Sequence, residues 1–309
     1  MKRILIITIA ILLVAYVGLA WFFSNLVLTT NSSHDNTQSR IERTWGVPHT
    51  DYLKLLPEPQ DFTTKGYEDI DLHGVYFKRS DTADCAIIFA HGWSDTWEGM
   101  LKYVPVMQDC TCDFVFYDHR AHGKSGGEYP TGGIKESKDL LAVTEWTKQY
   151  FDLSGEQIGW IGASWGGATA LEAGATDENV AFIISDAPYQ DWHSAIFERA
   201  VRDYGSWVSA MAVGVEGLVG MRAGIDFDEA SAVTAAKSIE EPVLLIHSKQ
   251  DSQTESWQSV NIAKNLNEKS TFHHLDWGND HTADVRKETE KFKGLIDDFL
   301  EEVGREFLK

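Results

Sequence analysis

The feature that most constrains this chain is a short turn, Gly162-Ala163-Ser164-Trp165-Gly166, caught between an apolar run at 158–163 and the helix-compatible run Ala168-Thr-Ala-Leu-Glu-Ala173. A serine at so tight a strand-to-helix junction holds strained backbone angles, its hydroxyl stands clear of the sheet, and the helix N-terminus points at it. Glycines on both sides permit the close contacts of the turn. On its own the pattern could be a glycine-rich bend with a capping serine; its setting argues for more. Apolar β-rich runs at 85–90, 113–118, 158–163, 180–185 and 243–247 alternate with helical patterns near 96–107, 135–150, 165–175, 231–238 and 257–265, and a helix over about 283–303 closes the chain. Strands apolar along most of their length belong inside a mostly parallel sheet covered on both faces, an α/β architecture. Segments 67–72 and 75–78, around His73-Gly74, read as an opening hairpin. Between Tyr189 and about Ala223, two apolar, aromatic helical segments interrupt the alternation. They read either as a packed helical layer or as a small cap over a site, with several glycines that would weaken its helices.

The N-terminus departs from this pattern. Lys2 and Arg3 precede an uncharged run from Ile4 to Phe23, and about 20 helical residues span the roughly 30 Å hydrocarbon layer. A cleaved signal peptide is the rival, but Trp21, Phe22 and Phe23 continue past the mediocre cleavage signal at Gly18 and Ala20. Residues 1–23 therefore read as a single transmembrane anchor, N-terminus cytoplasmic and main domain outside, with Trp21, Phe22 and Phe23 at the outer interface. Residues 24–64, polar and interrupted by Pro48, Pro57 and Pro59, read as a stalk followed by a segment laid over the domain. That domain then occupies 65–309, with the cap at about 190–223.

With 27 Lys+Arg against 47 Asp+Glu, the net charge is −20. Such a surface repels phosphate backbones, so nucleic acid is a poor partner. Cys85, Cys110 and Cys112 are too few for a disulfide framework and lack zinc-ligand spacing, which leaves one bridge plus one thiol open in an oxidising compartment.

A serine hydroxyl is a weak nucleophile at neutral pH. It needs a histidine base, and that ring needs an acid to hold its tautomer. Downstream of Ser164, in the order acid then base, stand Asp251, after the run at 243–247, and His281, ahead of the closing helix. Alone, Asp251 could cap the following helix and His281 could be a surface loop residue. Their order and their positions after late strands join them. His273 and His274 compete for the base role but fall within a predicted strand, and Asp280 adjoins His281 too closely to orient it. An oxyanion needs preorganised N–H donors. Trp165, directly after the serine, offers one, and Trp93, in Phe89-Ala-His91-Gly92-Trp93, offers the second, with His91 read as a structural hydrogen-bonding residue.

The set His91-Gly92-Trp93, Tyr117-Asp-His-Arg-Ala-His-Gly-Lys-Ser125, Gly162-Ala-Ser-Trp-Gly166, Asp251 and His281 resembles the α/β-hydrolase superfamily over about 67–307. Within it the chain is similar to membrane-anchored serine hydrolases of the Bem46 and YqkD-like kind, often labelled serine aminopeptidase-like. The resemblance implies an eight-stranded, mostly parallel sheet flanked by helices, with a small helical cap. Segment 118–125 then shapes a loop beside the active site, with Ala121 and His122 standing where the family pattern has Gly and a variable residue. Ser248 and Asp280 stand where the family commonly has Gly. The implied strand order makes the strands at Cys85 and Asp113 neighbours, and Cys85 and Cys112 then pair at similar heights.

The expected activity is a serine hydrolase cleaving a carboxylic ester, or a thioester or amide, through an acyl-enzyme: Ser164 the nucleophile, His281 the acid–base, Asp251 its partner, Trp93 and Trp165 the oxyanion donors. No metal or organic cofactor is implied. The alternatives are a peptidase, which would need a cap carboxylate such as Glu198, Asp203 or Glu216 to hold a free amine, and an idle scaffold binding a partner through its cap. The sequence leaves substrate and oligomeric state open.

Overall fold

The computed structural model describes residues 1–176, 179–304 and 307. Its eight strands are β1 (Gln60–Lys65), β2 (Asp71–Phe77), β3 (Ala86–Ala90), β4 (Asp113–Tyr117), β5 (Ile158–Ala163), β6 (Phe182–Asp186), β7 (Val243–Ser248) and β8 (Thr271–Leu275). They form one sheet in the order β1-β2-β4-β3-β5-β6-β7-β8. β1 and β2 pair antiparallel, as do β2 and β4, and every other pairing is parallel. The inner strands β3, β4, β5, β6 and β7 are buried along their whole length. That continuous burial on both faces is why they read as unbroken apolar runs.

Helices α1 (Lys2–Leu28), α2 (His34–Trp45) and α3 (His49–Leu53) precede the sheet. Helices α4 (Ile134–Phe151) and α5 (Trp165–Gly174) cover one face together with α8 (Ala232–Ala235) and α9 (Trp257–Ala263). Helices α10 (Asp284–Lys287) and α11 (Thr289–Val303) close the other. Helices α6 (Trp192–Tyr204) and α7 (Ala212–Ala223), joined by a 3-10 turn at Ser206–Met211, form the cap after β6.

Several local readings of the sequence are corrected. The opening hairpin joins β1 to β2, and His73-Gly74 lies inside β2 instead of at a turn. Gly74 faces Phe62 across the ladder, where a Cβ would come within 2.3 Å of the Phe62 ring, so this glycine marks a close approach. The helical pattern at 96–107 is broken into two 3-10 turns, Trp97–Tyr103 and Pro105–Met107, the second starting at a proline that has no N–H to give. The cap glycines serve packing and capping more than looseness: Gly214 lies against the Tyr16 ring, and Gly224 ends α7 in a left-handed conformation.

Over 24–64 the first helix runs past Phe23 to Leu28, and α2 and α3 follow it against the domain. Ser33 caps α2 by accepting the Asn36 N–H, and Thr37 and Ile41, one turn apart, are buried. A polar latch completes the attachment. His34 Nδ1 meets Glu98 at 2.7 Å, its Nε2 meets Asp118 at 3.0 Å, and Arg40 pairs with Asp95. Only one large apolar residue of α2 is buried, so hydropathy alone gave no sign of docking.

Cys85 and Cys112 form a disulfide between the starts of β3 and β4; Cys110 is free and buried, its thiol pushed up to about 11 by burial. Without reductant, alkylation of the denatured chain should therefore modify one cysteine, Cys110, with two more only after reduction, as read by mass spectrometry.

The hydrogen bonds that His34 donates to Asp118 and then Glu98 outweigh burial and raise its pKa to about 10. Because the folded value exceeds the unfolded one, near 6.5, this contribution is complete below about pH 6.5 and fades as pH rises through about 10. His34→Gln should cost about 2 kcal/mol at pH 6, measured by urea denaturation, and the gap to wild type should narrow steadily toward pH 10.

Candidate active site

Ser164 sits at φ 55 and ψ −114, between the end of β5 and the first residue of α5. A non-glycine residue pays about 1–3 kcal/mol for such a conformation, which survives only where surroundings over-determine it. Here they do. The Ser164 N–H donates to the Asp186 carbonyl at 2.7 Å, and the Ser164 carbonyl accepts the Ala168 N–H at 3.0 Å. A Cβ on Gly162 would lie 2.2 Å from the Gly166 carbonyl oxygen, and one on Gly166 would lie 2.0 Å from that of Ala90. Neither glycine has room for any other side chain.

The parallel register sets Ala90 of β3 beside Gly162 of β5, which brings the loop after β3 to the serine. A Cβ on Gly92 would stand 3.6 Å from the Ser164 Cβ. The indoles of Trp93 and Trp165 lean on each other, ring centroids 4.7 Å apart. Buried histidines hold this loop. The His91 Nε2 accepts the His119 N–H at 2.9 Å, so its proton is on Nδ1, 2.8 Å from the Gly92 carbonyl. His122 accepts the Ser94 N–H on Nε2 and donates from Nδ1 to the Arg120 carbonyl at 2.7 Å. Burial lowers the pKa of both rings, that of His122 to about 3, and keeps them neutral. His91 is thus structural, and His122, seen in the sequence only as a departure from a pattern, anchors the residue after Trp93. Ala121, where that pattern has Gly, adopts φ 57.

Across the sheet edge, Asp251 follows β7 and His281 precedes α10. The His281 Nδ1 lies 2.5 Å from Asp251 Oδ2. The same oxygen receives the His247 Nε2 at 3.0 Å, while Oδ1 accepts the N–H groups of Gln253 and Thr254 at 2.8 and 2.9 Å. Burial opposes ionisation of Asp251, but the hydrogen bonds from His247 and His281 outweigh it and hold the carboxylate well below its usual range. His247, at the end of a buried strand, is the site residue that sequence reasoning missed. An imidazole four residues before the acid was its only sign.

The two residues that replace glycine tie these loops together. The Ser248 hydroxyl donates to the Asn279 carbonyl. Asp280 accepts the Ser252 and His281 N–H groups, both at 2.8 Å, and the Ser252 hydroxyl at 3.0 Å. Buried Lys102 donates to the Thr282 hydroxyl at 2.6 Å, pinning the residue after His281. His273 and His274 lie on β8, where His274 meets Ser256 at 2.9 Å, and neither reaches the cavity.

Ser164, His281, Trp93 and Trp165 line one cavity of about 910 Å³ between sheet edge and cap. Its walls include Phe23, Leu26 and Val27 of α1, Arg40 and Trp45 of α2, and Val208, Met211 and Val215 of the cap. Six basic and four acidic side chains reach it. Of the three candidate amine-holding carboxylates, Asp203 and Glu216 line it but Glu198 does not. All three are engaged: Glu198 accepts from Gln258 at 2.7 Å, Asp203 from Arg202 at 3.1 Å, and Glu216 pairs with His193.

The sheet order, the strained serine turn and the cap after β6 define an α/β hydrolase. A profile of the prolyl oligopeptidase family covers residues 127–304, and the chain belongs to that family. The uncharacterised protein YqkD of Bacillus subtilis is 27% identical over 98% of this chain and 99% of its own length. In fold, the chain is similar to the Pyrococcus furiosus esterase Pf2001, with a TM-score of 0.65, 20% identity, and coverage of 85% of this chain and 95% of that one. It is similar also to the acylaminoacyl peptidase of Pyrococcus horikoshii, with a TM-score of 0.61, 22% identity, and coverage of 80% of this chain and 42% of that one. The chain is thus a hydrolase of this fold.

Asp280→Gly would cut two hydrogen bonds between the Asp251 and His281 loops and one to the His281 N–H, while leaving both side chains. Because a displacement of about 1 Å costs about a hundredfold, we expect kcat for a short-chain ester to drop ten- to a hundredfold, with an unchanged far-ultraviolet dichroism spectrum.

Proposed function

We propose that the protein is a serine hydrolase that cleaves carboxylic esters through an acyl-enzyme. The observation that carries this reading is the 2.5 Å contact between Asp251 and His281 Nδ1, beside a cavity that both His281 and the strained Ser164 line. With Nδ1 committed to an ionised carboxylate, Nε2 is the nitrogen left to exchange a proton. Ser164 Oγ bonds to the ester carbon as its proton passes to His281 Nε2, and the carbonyl π pair moves onto oxygen. The backbone N–H groups of Trp93 and Trp165 receive that oxyanion. His281 then returns the proton to the departing alkoxide as the C–O bond breaks, and water repeats the sequence to release the acid. No metal or organic cofactor enters these steps.

Family membership makes a peptidase the rival. A free amino terminus would meet a cavity with six basic and four acidic side chains, whose candidate carboxylates are already hydrogen-bonded. That balance favours a neutral or anionic ester. The N-terminal helix and the pair Lys2-Arg3 support a single-pass anchor with the N-terminus in the cytoplasm, and a Cys85–Cys112 disulfide suits an oxidising compartment outside.

A fluorophosphonate probe should label the wild type and not Ser164→Ala, whose kcat for p-nitrophenyl butyrate should fall about a thousandfold or more. Aminoacyl-p-nitroanilides should be turned over far more slowly than the ester. Comparable rates on both would make the enzyme a peptidase, and an unlabelled wild type would make it a scaffold.

A further inference from the structure

The serine-hydrolase reading and the membrane anchor, on which this step rests, leave the origin of the ester open. The anchor and the cap narrow it. Helix α1 has 27 residues and is about 40 Å long, roughly 10 Å more than the hydrocarbon layer. With Ile4 as the first residue at hydrocarbon level, the outer boundary falls near Phe23.

The cap rides on that boundary. Tyr16 lies against Gly214 at the start of α7, and Ser24 accepts a hydrogen bond from Arg222 near its end, at 2.9 Å, while the Arg222 guanidinium also stacks on Trp21. Helices α1 and α7 therefore run parallel, and Gly214 sits about 10 Å below the boundary, the depth to which interfacial amphipathic helices sink. Phe23 packs edge-on against Tyr204 and Trp207 of the cap, which extends the aromatic belt of the anchor.

The outward face of α7 fits such a setting and not water. Its exposed positions, one turn apart, are Val213 (81% exposed), Gly217 and Met221 (71% exposed), with no charge among them. A solvent-facing helical stripe is ordinarily charged or polar, and this chain carries 74 charged residues. The cavity, meanwhile, is walled by Phe23, Leu26 and Val27 from the emerging end of the anchor, next to apolar cap residues. An acyl chain leaving the bilayer along α1 meets Phe23, Leu26 and Val27 at the wall of the cavity that Ser164 also lines.

We infer that α7 lies in the outer leaflet and that the substrate is a long-chain acyl ester resident in that leaflet, drawn into the cavity between anchor and cap. The test uses the full chain reconstituted in phosphatidylcholine vesicles, which are zwitterionic and so do not repel the acidic domain. Two fluorogenic esters share one leaving group: soluble 4-methylumbelliferyl butyrate and vesicle-borne 4-methylumbelliferyl oleate. Val213→Lys/Met221→Lys changes neither the site nor the cavity wall. It should leave the butyrate rate within twofold and lower the oleate rate at least tenfold, while the apolar control Val213→Leu/Met221→Leu keeps both. The inference is overturned if the lysine pair leaves oleate turnover unchanged, or if the wild type cleaves butyrate but not vesicle-borne oleate. Failure of the serine-hydrolase reading looks different: neither ester is cleaved, or Ser164→Ala cleaves both like the wild type.

Discussion

One backbone conformation underlies the rest of this structure: Ser164 held in the left-handed half of φ space between a buried strand and a helix. Its cost is met by close packing that nothing larger than glycine permits at 162 and 166. That packing depends in turn on the parallel register of β3, β5 and β6, which sets Gly162 beside Ala90 and Ala163 beside Asp186. The sheet thus fixes the serine and the Gly92-Trp93 loop as one unit. A substitution that shifted β5 by even a fraction of a residue would both relax the turn and move the Gly92-Trp93 loop relative to it.

The opposite half of the site is organised by hydrogen bonds. Asp251 lies in a turn, not on a helix or strand, and is positioned by two imidazoles and two backbone N–H groups. Where the family commonly has glycine, Ser248 and Asp280 supply polar bridges between the Asp251 loop and the His281 loop. His122 does the same for the loop of Trp93. Buried polar networks of this kind stabilise only when every member is satisfied, and these satisfy backbone groups at the residues whose positions the chemistry depends on. Departures from a family pattern are here the cross-links of the site.

The same physics decides which parts were legible in the sequence. Strands β3 to β7 announce themselves because burial on both faces demands continuous apolar runs, and the serine turn because its glycines are sterically obligatory. The bridge between Cys85 and Cys112 followed from the strand order that the resemblance implied. The first hairpin was misplaced because β1, Gln60–Lys65, is an edge strand with one buried residue, Phe62, and no period-2 apolar signal to read. Helix α2 was missed because it docks through His34 and Arg40 to carboxylates of the domain, and hydropathy does not register ion pairs. His247 was invisible as a site residue because a histidine in a buried strand carries no mark of the carboxylate four residues later that it will hold.

Helix α1 changes what kind of cavity this is. In this chain the last turns of α1, with Arg40, Thr44 and Trp45 of α2, complete the wall, while α1 also packs along α7 through Tyr16 and Ser24 and meets Tyr204 of α6 through Phe23. Displacing the cap from the sheet would therefore strip apolar surface from the anchor as well, at roughly 25 cal/mol for each Å² exposed to water. In lipid that cost falls away, since hydrocarbon solvates Phe23, Val213 and Met221 as readily as protein does. In the proposed membrane placement, the separation of α1 and cap that water opposes is one that a bilayer surface permits.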